Sequence, residues 1–175
     1  MFKEFEMTDS RLMLYFLGIE VKQENYGIFI SQKKYIREIL EKFKMDSCNS
    51  VNTLVATGLK LSREGEGKLV NSTMYKSLIG SLRYLTMTRP DILYGVGLVS
   101  RYMETPRESH WLTGKRILRY IKGILNFGLF NTYGENSELV GYLDSDRGGD
   151  KNERKSTTSH VFTLGSTAFP WTSNK

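Results

Sequence analysis

Three aspartates, Asp144, Asp146 and Asp150, directly follow the apolar run LVGYL and form the densest carboxylate cluster at a candidate strand end. Oxygen ligands of this kind suit Mg²⁺ in phosphoryl-transfer chemistry. Aspartate in a Gly-containing loop also serves as a turn former that bonds nearby backbone, and for Asp146 and Asp150 that reading stays open. Asp144 differs because it follows the strand directly, where a rigid support can aim a carboxylate. Four cations, Lys115, Arg116, Arg119 and Lys122, recur at helical spacing and share one surface. Such a row either tracks phosphates or is a solvated helix face.

The remaining reactive side chains offer less. His110, beside Trp111 near a helix start, reads as a packing or capping residue, and His160, in a strand without a paired nucleophile, reads as structural. Cys48 sits in a polar stretch with no local His partner, which disfavours a catalytic thiol. One cysteine and two histidines exclude a disulfide framework and make a Cys/His zinc site untenable. Glycine-rich dinucleotide, Walker A, nucleophile-elbow and HExxH patterns are absent.

With 175 residues, 39% hydrophobic and 25% charged, the chain has the composition of one ordinary domain or two small ones. The formal charge of +6 favours polyanionic partners. It is unevenly placed: residues 1–137 hold 20 basic and 14 acidic side chains, and residues 138–175 hold 5 of each. No window reaches the roughly 18 apolar residues needed to span a bilayer, and the first ten residues lack an apolar signal core. An intracellular location, cytoplasm or nucleus, with no membrane contact, is the expectation.

Residues 15–21 (YFLGIEV) and 27–31 (GIFIS), joined by KQENY, read as a β-hairpin. Ser31 is a candidate N-cap for an amphipathic helix with Tyr35, Ile36, Ile39, Leu40 and Phe43 inside and lysines outside. Residues 46–71 lose periodicity and read as a long connector, a length that calls for a reason. Helices follow over about 72–87, 90–103 and 107–123, with Pro90 suited to a first helical position. Gly95 and Gly97 weaken the middle helix unless a neighbour approaches closely. Residues 139–144, 159–165 and 167–173 read as strands, with Gly165-Ser166 turning between the last two and Pro170 confining the third to an edge. The fold class is α+β.

Several strings in order, FEMTD, YFLGIEV, ISQKKYIREILEKF, YKSLIGSLRYLTMTRPDILYGVGLVSRYM, HWLTGKRILRYIKG and LVGYLDSD, resemble the Pol polyprotein of copia-type LTR retrotransposons. The resemblance covers nearly the whole chain. It implies that residues 1–31 are the end of a reverse transcriptase palm, with a primer-grip-like hairpin at Phe16, Leu17 and Gly18. Residues 32–123 would be thumb-like or connection-like helices, and residues 138–175 the first antiparallel strands of a truncated ribonuclease H-like sheet.

The resemblance also implies limits. The family's paired polymerase aspartates precede FEMTD, and no such pair precedes Phe5. Asp144 matches the first metal-binding carboxylate of ribonuclease H, and the other ligands have no counterpart here. Where the family commonly has a small residue and an aromatic, this chain has Leu143 and Arg147. The expectation is therefore a catalytically inactive fragment with no cofactor of its own, Mg²⁺ belonging to the intact family enzyme. Weak binding of an RNA/DNA or DNA duplex through Lys115, Arg116, Arg119 and Lys122 is the leading functional expectation. The alternatives are an effector-like protein-interaction module without a nucleic-acid role, and a nuclease completed in trans around Asp144.

Overall fold

The computed structural model describes residues 13–134, 138–145, 158–165 and 167–174. Two antiparallel sheets flank a set of four helices, so the chain is α+β. The first sheet has the order β1-β2-β3-β4, with β1 at Tyr15–Phe16, β2 at Ile19–Glu24, β3 at Gly27–Ser31 and β4 at Leu129–Thr132. The second has the order β5-β6-β7, with β5 at Leu139–Ser145, β6 at Thr158–Leu164 and β7 at Thr167–Asn174. The helices are α1 (Lys33–Lys42), α2 (Ser72–Leu85), α3 (Leu93–Ser100, entered through a 3-10 turn at Pro90–Ile92) and α4 (Glu108–Gly123).

The run YFLGIEV is not one strand. It folds back on itself, pairing Phe16 with Ile19 across a two-residue turn in which Leu17 (φ 46°) and Gly18 (φ 80°) both adopt positive φ. That is the backbone of a type I′ hairpin turn, whose twist matches paired strands. Gly18 adopts it freely; Leu17 carries a Cβ penalty of about 1–2 kcal/mol. The next hairpin pairs β2 with β3, as the alternation in the sequence implies.

The strand β4 was not legible beforehand, and it completes the sheet by pairing Ile30 with Leu129 and Gly27 with Thr132. A Cβ on Gly27 would lie 2.1 Å from the Asn131 carbonyl oxygen, so only glycine permits that pairing distance.

Ser31 does not cap α1. Gln32 holds the N-cap position without a side-chain bond, and Glu20 of β2 supplies the acceptor instead, taking the Lys34 amide at 2.6 Å. Its carboxylate at a helix N-terminus also meets the positive end of the helix dipole. Ile36, Ile39 and Leu40 of α1 are buried against Leu78, Leu82 and Leu85 of α2 and Ile117, Leu118 and Ile121 of α4. Each such side chain contributes roughly 1.5–3 kcal/mol of burial. Asn71 caps α2 by accepting the Met74 amide at 2.9 Å. Gly95 of α3 stands where a Cβ would crowd Leu54 and Ile117, the close approach that excuses a glycine in mid-helix.

In the second sheet, Val161 faces Trp171 while Phe162 faces Phe169, which leaves Pro170 as the extra residue of a bulge on the edge strand β7. A residue without an amide proton is tolerated there because no ladder bond is required of it.

Candidate functional site

The connector 46–71 has its reason in α4. It runs antiparallel to that helix and is bonded to it at both ends, through residues 46–53 and 62–68. At the C-terminal end of α4 the Lys122 ammonium donates to the carbonyls of Asp46, at 2.7 Å, and Cys48. One turn earlier, Arg119 donates from Nε to the Asn49 carbonyl at 2.7 Å, and its own carbonyl accepts the Val51 amide at 3.4 Å. Arg116 donates from Nη2 to the Thr53 hydroxyl at 2.7 Å. Near the start of the helix, His110 bonds the Ser62 carbonyl at 2.9 Å, Ser109 takes the Glu66 amide at 3.0 Å, and the Glu108 amide donates to Lys68 at 3.0 Å. The connector is a strap on the helix.

His110 is buried, stacked on Tyr102 with ring centroids 4.0 Å apart. Its Nδ1 accepts the Arg107 amide at 3.0 Å, so Nε2 carries the proton given to Ser62. Burial holds its pKa below 6.5, offset in part by the Ser62 bond. A neutral imidazole saturated by main-chain partners is a capping residue, as its place in the sequence suggested.

All four row cations, Lys115, Arg116, Arg119 and Lys122, are half-buried. Their acceptors are carbonyls, a hydroxyl and, for Lys115, the Trp111 ring 5.5 Å away. The ion pairs among the described residues join Lys22 to Glu24, Arg63 to Glu104 and Arg89 to Asp91. The row of cations on α4 thus has no carboxylate partner among the described residues. Lys122, in the last turn, also complements the helix dipole, worth about 0.3–1 kcal/mol.

Phe16 and Leu17 project from the first hairpin, both exposed. The turn is held by the Tyr84 hydroxyl of α2, which donates to the Leu17 carbonyl, while Tyr84 packs edge-on against Tyr35 of α1 with centroids 5.0 Å apart. Phe16, Leu17 and Gly18 therefore lie at a rigidly docked hairpin tip, at a distance in sequence from the row on α4.

Asp144 lies in β5 opposite Ser159, and only its backbone is described. Asp146, Arg147 and Asp150 lie outside the described residues, as does the Phe5 segment. Leu143 is 78% exposed. Among the described residues no three His, Cys, Asp or Glu side chains gather as a metal group. Among them, too, no helix is long and apolar enough to cross a membrane.

Sequence reading missed one polar centre. Arg89, with a side chain 2% exposed, binds Asp91 through both carboxylate oxygens at 2.8 and 2.7 Å and reaches the Ile124 carbonyl at 3.3 Å. Its neighbour Thr88 donates to buried Gln32 at 2.8 Å. The TRPD string carried the signal, since an Arg and an Asp flanking a proline can close a local fork.

Comparison with known proteins shows the family of the sequence. Residues 1–57 match the family model described as reverse transcriptase (RNA-dependent DNA polymerase). The chain is 39% identical over 173 residues, 99% of its length, to the retrovirus-related Pol polyprotein from transposon RE1 of Arabidopsis thaliana. It is 34% identical over 98% of its length to the uncharacterized mitochondrial protein AtMg00810 of the same plant, 71% of which it covers. The chain belongs to the copia-type transposon Pol family of reverse transcriptases. It spans 12% of the RE1 polyprotein and 14% of the TNT 1-94 polyprotein of Nicotiana tabacum, another family member that it matches at 38% identity. No solved structure matches it.

Proposed function

We propose that these residues act as a non-catalytic nucleic-acid-holding segment of a copia-type Pol polyprotein, using Lys115, Arg116, Arg119 and Lys122 to meet the phosphates of an RNA/DNA or DNA duplex. The observation that carries this reading is the row of cations on α4 without a carboxylate partner among the described residues. Keeping half-buried cations unneutralised costs stability, and a polyanion returns that cost when it docks. Arg119 gives Nε to the strap, which leaves its terminal nitrogens for a phosphate. The primer-grip-like hairpin at Phe16, Leu17 and Gly18 would present a second contact on the same nucleic acid. The three strands β5 to β7 would be the opening of a ribonuclease H-like sheet, with Asp144 as its first carboxylate.

The test is titration of an RNA/DNA hybrid with the purified chain and with a variant carrying Gln at all four positions. Loss of binding in the variant, with the circular dichroism spectrum retained, supports the reading. Equal affinity of the two proteins would sink it.

One observation favours a second reading. The chain is 38% identical over 102 residues to a protein named secreted RxLR effector protein 161 of Plasmopara viticola, 72% of which is covered. An effector-like interaction module would capture a protein partner that survives high salt, whereas phosphate-driven contacts weaken steeply.

A further inference from the structure

The strap carries no acidic residue from Ser47 to Arg63, and α4 carries none after Glu108. Where the two meet, the hydroxyl of exposed Thr53 accepts a hydrogen bond from Nη2 of Arg116 at 2.7 Å. Lys115 and Arg119 border a gap under the strap together with Arg116, and no carboxylate lines it. Between α1 and α2 the chain forms no helix or strand, so Thr53 sits on an irregular surface segment of the kind a modifying enzyme can take up. A phosphoryl group on its oxygen would add nearly two negative charges beside that guanidinium. The guanidinium fork bonds phosphate oxygens in pairs, and it keeps its charge at any ordinary pH. An exposed hydroxyl, a contact to arginine and surroundings free of carboxylate are the conditions under which phosphorylation orders a loop instead of disrupting it.

We propose that Thr53 is a phosphorylation site whose phosphate is held by Arg116, with Lys115 and Arg119 beside it, and that this internal phosphate closes the row of cations to nucleic acid. The transfer takes a protein kinase and a nucleoside triphosphate. The Thr53 oxygen attacks the terminal phosphorus, and an O–P bond forms as the bond to the departing nucleoside diphosphate breaks. The hydroxyl proton passes to the base of the kinase. The phosphate contact stands on the geometry of Thr53 and Arg116 alone. Its effect on hybrid binding rests on the duplex-holding reading.

The experiment makes the full chain with phosphothreonine encoded at position 53 and, separately, at position 57, where Thr57 is an exposed residue of the same strap. Phosphorus NMR follows the second ionisation of each phosphate. The phosphate on Thr53 should lose its second proton well below the ordinary value of about 6, and the one on Thr57 near that value. Arg116→Gln should return the Thr53 phosphate to the ordinary value, and Arg116→Lys, which keeps the charge and loses the fork, should return it only in part. Equal ionisation at the two positions, or no response to Arg116→Gln in a protein of unchanged circular dichroism, overturns the phosphate site. Hybrid affinity should fall by about tenfold or more with the phosphate on Thr53, and by about threefold or less with it on Thr57. A phosphate that is held on Arg116 and leaves hybrid affinity unchanged overturns the regulation. An unmodified chain that fails to bind hybrid overturns only the duplex reading. Incubation of the unmodified chain with ATP and a eukaryotic cell extract, read by phosphopeptide mass spectrometry, should place phosphate on Thr53. Its absence there overturns Thr53 as a modification site.

Discussion

Arg119 gives its Nε proton to the carbonyl of Asn49, 70 residues earlier in the chain, at 2.7 Å. With the Lys122 contacts to Asp46 and Cys48, this fixes the start of the strap to the end of α4. The single cysteine therefore reports on the strap. Combined Arg119→Ala and Lys122→Ala substitution should raise the alkylation rate of Cys48 in the folded protein by about threefold to tenfold. Stopped-flow or mass-spectrometric alkylation reads this directly, and an unchanged rate would mean the strap is held by its apolar contacts instead.

The Arg89–Asp91 pair predicts a large effect from a small change. Asp91→Asn removes the charge and one of the two acceptor oxygens that face a guanidinium 2% exposed. Because Asp91 itself is 31% exposed, water relieves part of the loss, and the expected cost is about 3 kcal/mol. Urea unfolding measures it. A cost below about 1 kcal/mol would show that the pair behaves as a surface bridge.

Leu17 predicts a gain. Its positive φ is disfavoured for leucine, and its side chain is 71% exposed, so little burial is lost on replacement. Leu17→Asn should stabilise the fold by about 1 kcal/mol, because Asn tolerates the left-handed region. If stability falls instead, the leucine side chain has a contact that outweighs the backbone strain.

His110 predicts acid sensitivity. Its folded pKa lies below 6.5, so the unfolded chain takes up the proton first and stability is lost as the pH falls from about 6.5 toward the folded value. Above that window the contribution is complete. The denaturation midpoint should therefore decline as the pH falls from 7 through 6.5 in the wild type and decline less in His110→Gln. Parallel declines in the two proteins would assign the effect to carboxylates.

Most of the helical framework was legible, for a physical reason. The cores of α1, α2 and α4 are built from apolar side chains at helical spacing, and Ile36, Ile39, Leu78, Leu82, Leu118 and Ile121 are buried as that spacing requires. The last three strands were equally plain, because LVGYL and HVFTL are short apolar runs bounded by polar segments. The break in YFLGIEV was hidden because Leu-Gly is not a usual pair for a tight turn, and the Tyr84 contact that holds it is 67 residues away. The strap was hidden more deeply: most of its bonds join α4 to main-chain groups of a stretch without periodicity. The same fact changed the reading of the candidate site, since residues expected on an open surface turned out to face a covering segment.

The salt dependence of hybrid binding tests most directly whether α4 meets phosphates. Lys115 gives no hydrogen bond to the strap among the described residues, so Lys115→Gln can remove one phosphate contact without loosening Cys48. The wild type should lose affinity linearly in log salt, with a slope of about −2 to −4 for the four cations, and Lys115→Gln should flatten that slope by about 1. A wild-type slope near zero, or no hybrid binding at low salt, would contradict a nucleic-acid role for this surface.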